Sequence, residues 1–95
     1  MAIVASFAVT GMNSAKYDEI IRALEGIGEG APDGRIVHLC YGDRENLQVI
    51  DVYESAAQLA AFGAKLMPIL ASQGVTAVPA PVEAYNVIQG TTTPG

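Results

Sequence analysis

Several residue types are scarce in this sequence, and each scarcity excludes a class of protein. The 95 residues contain no tryptophan, one cysteine (Cys40) and one histidine (His38). A single cysteine cannot form an internal disulfide, as is usual in a reducing compartment. One histidine and one cysteine among scattered carboxylates do not make a recognisable metal site, because His38 with Asp51 supplies two ligands where roughly three or four are needed. We therefore expect no metal, and a cytoplasmic location.

Long apolar runs and basic clusters are also missing. No apolar stretch approaches the ~20 residues of a transmembrane helix, and residues 1–10 lack the basic segment of a signal peptide. Five Lys and Arg stand against ten Asp and Glu, for a formal net charge of −5. Neither nucleic acid nor a membrane surface is expected as a partner, because both require positive patches.

The glycine-rich stretch 26–34 invites comparison with a nucleotide-binding loop. Its glycines lack the spacing of that fingerprint, it follows a helical pattern rather than a strand, and Glu25, Glu29 and Asp33 would repel phosphate. We interpret it as a connector and expect no cofactor.

Hydrophobic periodicity gives the order of the first five elements. An almost unbroken apolar run, residues 2–10, predicts a buried strand. Residues 14–25 have helical spacing, with the buried stripe Tyr17, Ile20, Ile21 and Leu24. Runs rich in β-branched residues at 35–42 and 47–54 flank a polar turn and predict a β-hairpin. A second helix follows from residue 55 to about residue 74, with a kink or restart at Pro68 and a close approach allowed by Gly63.

The end of the chain is interrupted by proline. Residues 75–81 contain two prolines and suggest an irregular crossing or a short edge strand, so the last strand is predicted at 82–88, where it carries Tyr85 and Asn86. Residues 1–90 would form a single domain, and residues 91–95 a flexible tail. The order βαββαβ predicts an α+β, ferredoxin-like sandwich: an antiparallel sheet with two helices on one face.

The register of the hairpin follows from its turn. Loops of two or four residues give the same opposing pairs, namely Arg35 with Glu54, Ile36 with Tyr53, His38 with Asp51 and Cys40 with Val49. Since strand side chains alternate, His38, Asp51 and Tyr53 share one face. The other face is apolar and carries Val37, Leu39, Tyr41, Ile50 and Val52.

The polar side chains of the mixed face are the candidate catalytic residues. His38 beside Asp51 resembles a general base whose tautomer is held by a carboxylate, and Tyr53 could donate to a substrate carbonyl or enolate. The same residues could instead be a buried polar pair and a core tyrosine that merely satisfy their hydrogen bonds. The residues predicted to bind substrate are Cys40, as a small buried hydrophobe, with Phe62, Leu66, Tyr85 and Asn86.

The apolar face predicts a homodimer. Left uncovered, Val37, Leu39, Tyr41, Ile50 and Val52 would form an exposed patch of the kind that marks interfaces. The simplest cover is the same face of a second copy, in a two-fold sheet-on-sheet pairing.

This order of elements, the segment Val52-Tyr53-Glu54-Ser55 and the helical Leu66-Met67-Pro68 resemble the dimeric α/β-barrel superfamily, close to its antibiotic biosynthesis monooxygenase-like group. The resemblance implies a dimeric barrel with a pocket between sheet and helices. It also implies a small cofactor-independent enzyme, of monooxygenase, cyclase or isomerase type, acting on a hydrophobic molecule that is aromatic or polyketide-like. Tyr53 stands where relatives commonly have tryptophan, and the second helix lacks the histidine of haem-degrading members. The alternative is a non-catalytic module that binds a small ligand or serves a structural role.

Overall fold

Six elements in the predicted order βαββαβ build the computed structural model, which describes residues 1–90. They are β1 (Ile3–Thr10), α1 (Ser14–Gly26), β2 (Arg35–Asp43), β3 (Asn46–Tyr53), α2 (Ala56–Ser72) and β4 (Thr76–Glu83). The four strands form one sheet in the order β2-β3-β1-β4, and all neighbours are antiparallel. The α+β, ferredoxin-like fold is therefore confirmed. The predicted tail, 91–95, lies outside the described residues.

Both helices start at a side chain that caps them. Asn13 Oδ1 accepts a hydrogen bond from the backbone N–H of Lys16 at 2.9 Å, and Ser55 Oγ accepts one from that of Gln58 at 3.2 Å. The helix does not restart at Pro68, because α2 is a single helix through that residue. We attribute its continuity to packing against the core on either side of the proline, which offsets the lost backbone bond.

The core lies between the sheet and the two helices. Alternate residues of β1, Ala5, Phe7 and Val9, are buried against apolar side chains of α1 and α2. The close approach expected at Gly63 is absent, since a Cβ at that position would have no neighbouring atom within 4 Å. In residues 1–90, neither helix has the length and apolar character needed to cross a membrane.

The last strand lies earlier than the sequence suggested. β4 pairs with β1 from Thr76 to Glu83, so the prediction of a strand at 82–88 is wrong. Pro79 and Pro81 are two residues apart, which puts both missing N–H groups on the same side of an edge strand, where no partner needs them. Proline therefore protects this edge rather than ending the strand.

The hairpin register is confirmed near its turn and wrong at its open end. His38 lies opposite Asp51, and Cys40 opposite Val49, as predicted. A register shift between Arg35 and Val37 then brings Arg35 opposite Tyr53. The expected pairs of Arg35 with Glu54 and of Ile36 with Tyr53 therefore do not form. A bulge of this kind turns a side chain toward a new face.

The face of the sheet away from the helices, which we call the open face, is mostly apolar. Twelve of its residues form an apolar area: Val37, Val52, Val4 and Val82; Leu39, Ile50, Ser6 and Ala80; and Tyr41, Gln48, Ala8 and Val78. Of these twelve only Ser6 and Gln48 are polar, and the Gln48 side-chain amide hydrogen-bonds the backbone N–H and C=O of Val9. At one end of the face the pairs Asp43–Asn46 and Thr10–Thr76 are polar. Leu39 is 53% exposed and Val82 is 65% exposed in the single chain.

Candidate functional site

A chain of hydrogen bonds joins three polar side chains beneath the helices. Asp51 Oδ1 lies 2.6 Å from His38 Nδ1, and the Tyr17 hydroxyl lies 2.7 Å from His38 Nε2. Asp51 is only 2% exposed, and β3 and β2 hold it directly across from His38. An ionised carboxylate only accepts hydrogen bonds, so Nδ1 donates to it and Nε2 of a neutral imidazole accepts from Tyr17. The arrangement holds one tautomer of His38 and aims its basic nitrogen at Tyr17.

All three residues line a small cavity between the sheet and the helices, which we call the inner cavity. Its other walls are almost wholly apolar: Phe7, Val9, Met12, Ile20, Ile21, Leu24, Val49, Phe62, Leu66, Leu70, Val75 and Ala77, together with Arg35. Its volume is about 50 Å³. Ligand sites rarely fall below ~300 Å³, so the inner cavity by itself is too small for an aromatic ligand.

Tyr17 is a neutral donor at physiological pH. Burial raises the pKa of its hydroxyl above the ordinary value of 10.0, Cys40 nearby raises it further, and Arg35 opposes the shift. The rings of Tyr17 and His38 are nearly parallel, with 9° between their planes. Tyr17 therefore stays protonated and can donate its hydrogen bond to Nε2 of His38.

Arg35 supplies positive charge to the wall of the inner cavity. Its guanidinium donates to the backbone oxygen of Gly30 at 3.1 Å, and its charge lowers the pKa values of both Tyr17 and Tyr53 against the effect of burial. The bulge in β2 brings Arg35 to this face. A guanidinium at this position would stabilise an anion formed beside it.

Tyr53 is fully buried, and its hydroxyl has no hydrogen-bond partner among the described residues. Burial raises its pKa well above the usual range, and Asp51 adds to this. Its ring packs on Phe62 with centroids 6.0 Å apart. Tyr53 does not line the inner cavity, and an unpaired buried hydroxyl costs about 1–3 kcal/mol.

The predicted substrate-binding residues divide into two groups. Phe62 and Leu66 lie on the wall of the inner cavity. Cys40 packs against the core but does not line the inner cavity, and burial raises the pKa of its thiol. Tyr85 and Asn86 were expected on the last strand, and that prediction is wrong. They follow the end of β4 and are exposed, so neither contributes to the pocket.

Two residues of this site, Tyr17 and Arg35, were not among the sequence candidates. Tyr17 was assigned only to the apolar stripe of the first helix, although it is the one member of that stripe with a hydroxyl, which buried tyrosines pair with a partner. Arg35 was assigned to an ion pair with Glu54. No sequence signal indicated the bulge that reorients it.

Comparisons with known proteins agree on the fold. No protein family model matches the sequence, and no curated protein matches it. Among solved structures, SnoaB, a cofactor-independent oxygenase from Streptomyces nogalater, is 17% identical, with a TM-score of 0.58 over 94% of this chain and 96% of its own. A proposed antibiotic biosynthesis monooxygenase from Deinococcus radiodurans is 14% identical, with a TM-score of 0.60 over 97% of this chain and 100% of its own. The chain therefore has the fold of the group that its sequence resembles.

Proposed function

We propose that this protein is a small cofactor-independent enzyme of monooxygenase type that removes a proton from a hydrophobic, aromatic or polyketide-like molecule. The observation that carries the proposal is the hydrogen-bonded chain Asp51–His38–Tyr17 on the wall of an otherwise apolar cavity. A base that is oriented by a buried carboxylate and reaches an apolar pocket is an arrangement suited to general base catalysis.

In this proposal the proton leaves an acidic CH₂ group that lies between two aromatic rings and is conjugated through them with a ketone. It passes to the oxygen of Tyr17 as the Tyr17 proton moves to His38 Nε2, and Asp51 stabilises the imidazolium. Arg35 stabilises the delocalised carbanion. Dioxygen then adds to that carbon, the peroxide anion takes the proton back from Tyr17 and His38 to become a hydroperoxide, and the hydroperoxide loses water. The CH₂ becomes a carbonyl, one oxygen atom enters the product and the other leaves as water, so dioxygen is the only oxidant.

The similarity to SnoaB, described as a cofactor-independent oxygenase, supports this choice of reaction. At 17% identity the support is an analogy between folds, because one fold carries many functions.

The second candidate is a non-catalytic module that binds a small ligand or serves a structural role. It is favoured by the volume of the inner cavity, about 50 Å³, which is far below that of a usual ligand site. In that case the Asp51–His38–Tyr17 chain only satisfies the hydrogen bonds of buried polar groups.

The proposal includes a homodimer through the open face and a cytoplasmic location. Ten of the twelve residues in the apolar area of this face are apolar, which exceeds what a soluble monomer usually leaves uncovered in one patch. The same face of a second copy, which is equally apolar, is the simplest cover for it. The cytoplasmic location rests on the single cysteine.

Oxygen uptake with anthrone tests the reaction. Anthrone is a fused-ring ketone with one acidic CH₂, and its oxidation to anthraquinone consumes one dioxygen and releases one water. We expect wild-type protein to accelerate uptake and His38→Ala to abolish the acceleration, with Ser72→Ala, an exposed change at the end of α2, as the control. Turnover by His38→Ala at the wild-type rate would remove the enzyme proposal in favour of the second candidate.

A further inference from the structure

Phe62 separates the inner cavity from a second, larger space. This outer groove has a volume of about 240 Å³ and is lined by Glu29, Pro32, Asp33, Gln58, Ala61, Phe62 and Lys65. Phe62 is the residue that lines both spaces. Neither space alone reaches the ~300 Å³ of usual ligand sites, but together they come close to it.

Tyr53 lines neither space, but its ring packs on Phe62, which lines both, with centroids 6.0 Å apart. It also lies opposite Arg35, which lines the inner cavity, so a ligand that displaces the ring of Phe62 would come beside Tyr53. Within residues 1–90 the hydroxyl oxygen of Tyr53 is the buried side-chain polar atom that lacks a hydrogen-bond partner. A donor kept unpaired at such a cost is explained if a ligand oxygen accepts from it.

The outer wall of the groove is held by contacts that can open. The Lys65–Glu29 ion pair and a hydrogen bond of 3.4 Å from Gln58 Nε2 to Asp33 Oδ2 join the connector, residues 27–34, to α2. The hydrogen bond is exposed and Lys65 is 57% exposed, so these two contacts are weaker than buried ones, although Glu29 is only 15% exposed and Pro32 of the connector is buried. Breaking both contacts would let the side chains of this wall move apart and make room for Phe62 to rotate.

We propose that Phe62 is a gate, and that the inner cavity and the outer groove form one binding site for a neutral, fused-ring aromatic ketone whose carbonyl accepts a hydrogen bond from Tyr53. The site deepens the proposed function, on which it rests for its choice of ligand. The ligand enters by the outer groove, displaces the ring of Phe62, and presents one ring to Tyr17 and His38.

The charges of the two spaces fit a ligand that arrives neutral and becomes an anion only inside. The outer groove holds two carboxylates, Glu29 and Asp33, against Lys65, which is already paired with Glu29. That excess of negative charge disfavours an anionic ligand at the entrance. Arg35, on the inner wall, favours the anion once a proton has been removed.

Binding of 9-fluorenone tests the joined site. This three-ring ketone has no acidic CH₂, so its binding does not depend on turnover. In a two-dimensional amide NMR titration we expect signals of Ala61 and Lys65, at the groove, to shift together with those of Val49 and Ala77, at the inner cavity, with a single Kd. Shifts confined to one space, or two different Kd values, would overturn the joined site.

Tyr53→Phe tests the hydroxyl. We expect it to weaken fluorenone binding about five- to tenfold, to leave binding of fluorene, which lacks the carbonyl, unchanged, and to raise the Tm of the free protein because an unpaired polar group is lost. A purely structural tyrosine would not change the preference for fluorenone over fluorene, and that result would contradict the proposal. The charged analogue 9-fluorenone-2-carboxylate should bind more weakly than fluorenone to the wild type.

Phe62→Leu and Phe62→Trp test the gate. The shorter side chain should raise the association rate of fluorenone several-fold, and the larger one should lower it. Leu59→Ala is the matched control, since Leu59 is a buried residue of α2 that lines neither space. Association rates that do not depend on the size of the side chain at position 62, or that change equally in the Leu59→Ala control, would exclude gating.

The two proposals fail in different ways. Binding of fluorenone across both spaces without oxidation of anthrone would leave the site intact and remove the enzymatic reaction. Oxidation of anthrone with no fluorenone contact at the groove would support the enzymatic reaction and remove the joined site.

Discussion

The hydroxyl of Tyr17 lies 2.7 Å from Nε2 of His38, on the side of the ring opposite Asp51. Nε2 of His38, the nitrogen that would act as the base, is therefore not open to the cavity, because it already accepts a hydrogen bond from the neutral Tyr17. Any proton that His38 takes from a ligand in this arrangement passes through Tyr17, or Tyr17 must first move aside. This contact connects α1 to the hairpin and gives the first helix a part in the chemistry.

Tyr17→Phe separates these two possibilities. If Tyr17 relays the proton, the variant should lower kcat with anthrone by roughly 100-fold, the lower end of the usual contribution of a positioned acid or base. Tyr85→Phe is the control, since Tyr85 is fully exposed and distant from the cavity. A Tyr17→Phe enzyme that is as fast as wild type would show that Tyr17 only covers the base.

His38 and Asp51 should behave as one unit in turnover. We expect His38→Ala and Asp51→Asn each to remove most of the activity, and the double variant to be little worse than His38→Ala alone. The measurement is kcat/KM for the wild type and the three variants under the same conditions. Losses that multiply in the double variant would mean that the two residues act independently.

Stability should distinguish the same two variants. His38→Ala leaves the buried carboxylate of Asp51 without its partner and should lower the free energy of unfolding by about 3 kcal/mol. Asp51→Asn keeps a hydrogen-bonding group beside the imidazole and should cost less. Urea unfolding of both variants checks the order, and a reversed order would mean that Asp51 is not held by His38.

A lysine on the open face should prevent assembly. Ile50→Lys or Leu39→Lys is expected to give an aggregating or unfolded chain rather than a soluble monomer, because an unpaired lysine in a covered interface costs several kcal/mol. Met67→Lys is the matched control, since Met67 is exposed on α2, away from that face. Sedimentation and circular dichroism that report a folded, monomeric Ile50→Lys protein would exclude the proposed dimer.

Two glycines should respond to alanine with opposite signs. Gly63 lies inside α2 with open space around it, so Gly63→Ala should raise the free energy of unfolding by about 0.5–1 kcal/mol. Gly34 has a φ of +82°, and a Cβ there would clash with the side chain of Gln58, so Gly34→Ala should be destabilising. Thermal unfolding measures both, and a destabilised Gly63→Ala protein would mean that the space beside α2 is needed.

Alkaline pH should unfold the protein through its buried tyrosines. Burial raises the pKa values of Tyr17 and Tyr53 above the ordinary value of 10.0, so the folded chain holds protons that the unfolded chain has released. Their contribution to stability is complete below pH ~10 and is lost as the pH rises through the folded values. Urea unfolding between pH 8 and 11 should show this loss, and Tyr53→Phe should make it shallower. Equal slopes for the two proteins would contradict the shift assigned to Tyr53.

The sequence by itself determined the order of elements, the fold and the central pairing of the hairpin. His38 and Asp51 are close along the chain, and the turn between them fixes which residues face each other, so alternation of side chains was enough to predict their contact. The apolar open face was predictable for the same reason, since the alternation of side chains between the two faces of a sheet can be read within each strand by itself.

Only the tertiary structure decided the rest of the site. The hydroxyl of Tyr17 contacts His38 because of the position at which α1 packs on the sheet. Phe62 lies between the inner cavity and the outer groove because of the position at which α2 packs. The bulge that turns Arg35 inward and the edge position that tolerates Pro79 also depend on neighbours distant in sequence. Local patterns specify which face of an element is buried, whereas contacts between elements depend on how the whole core fills its volume, which no local pattern encodes.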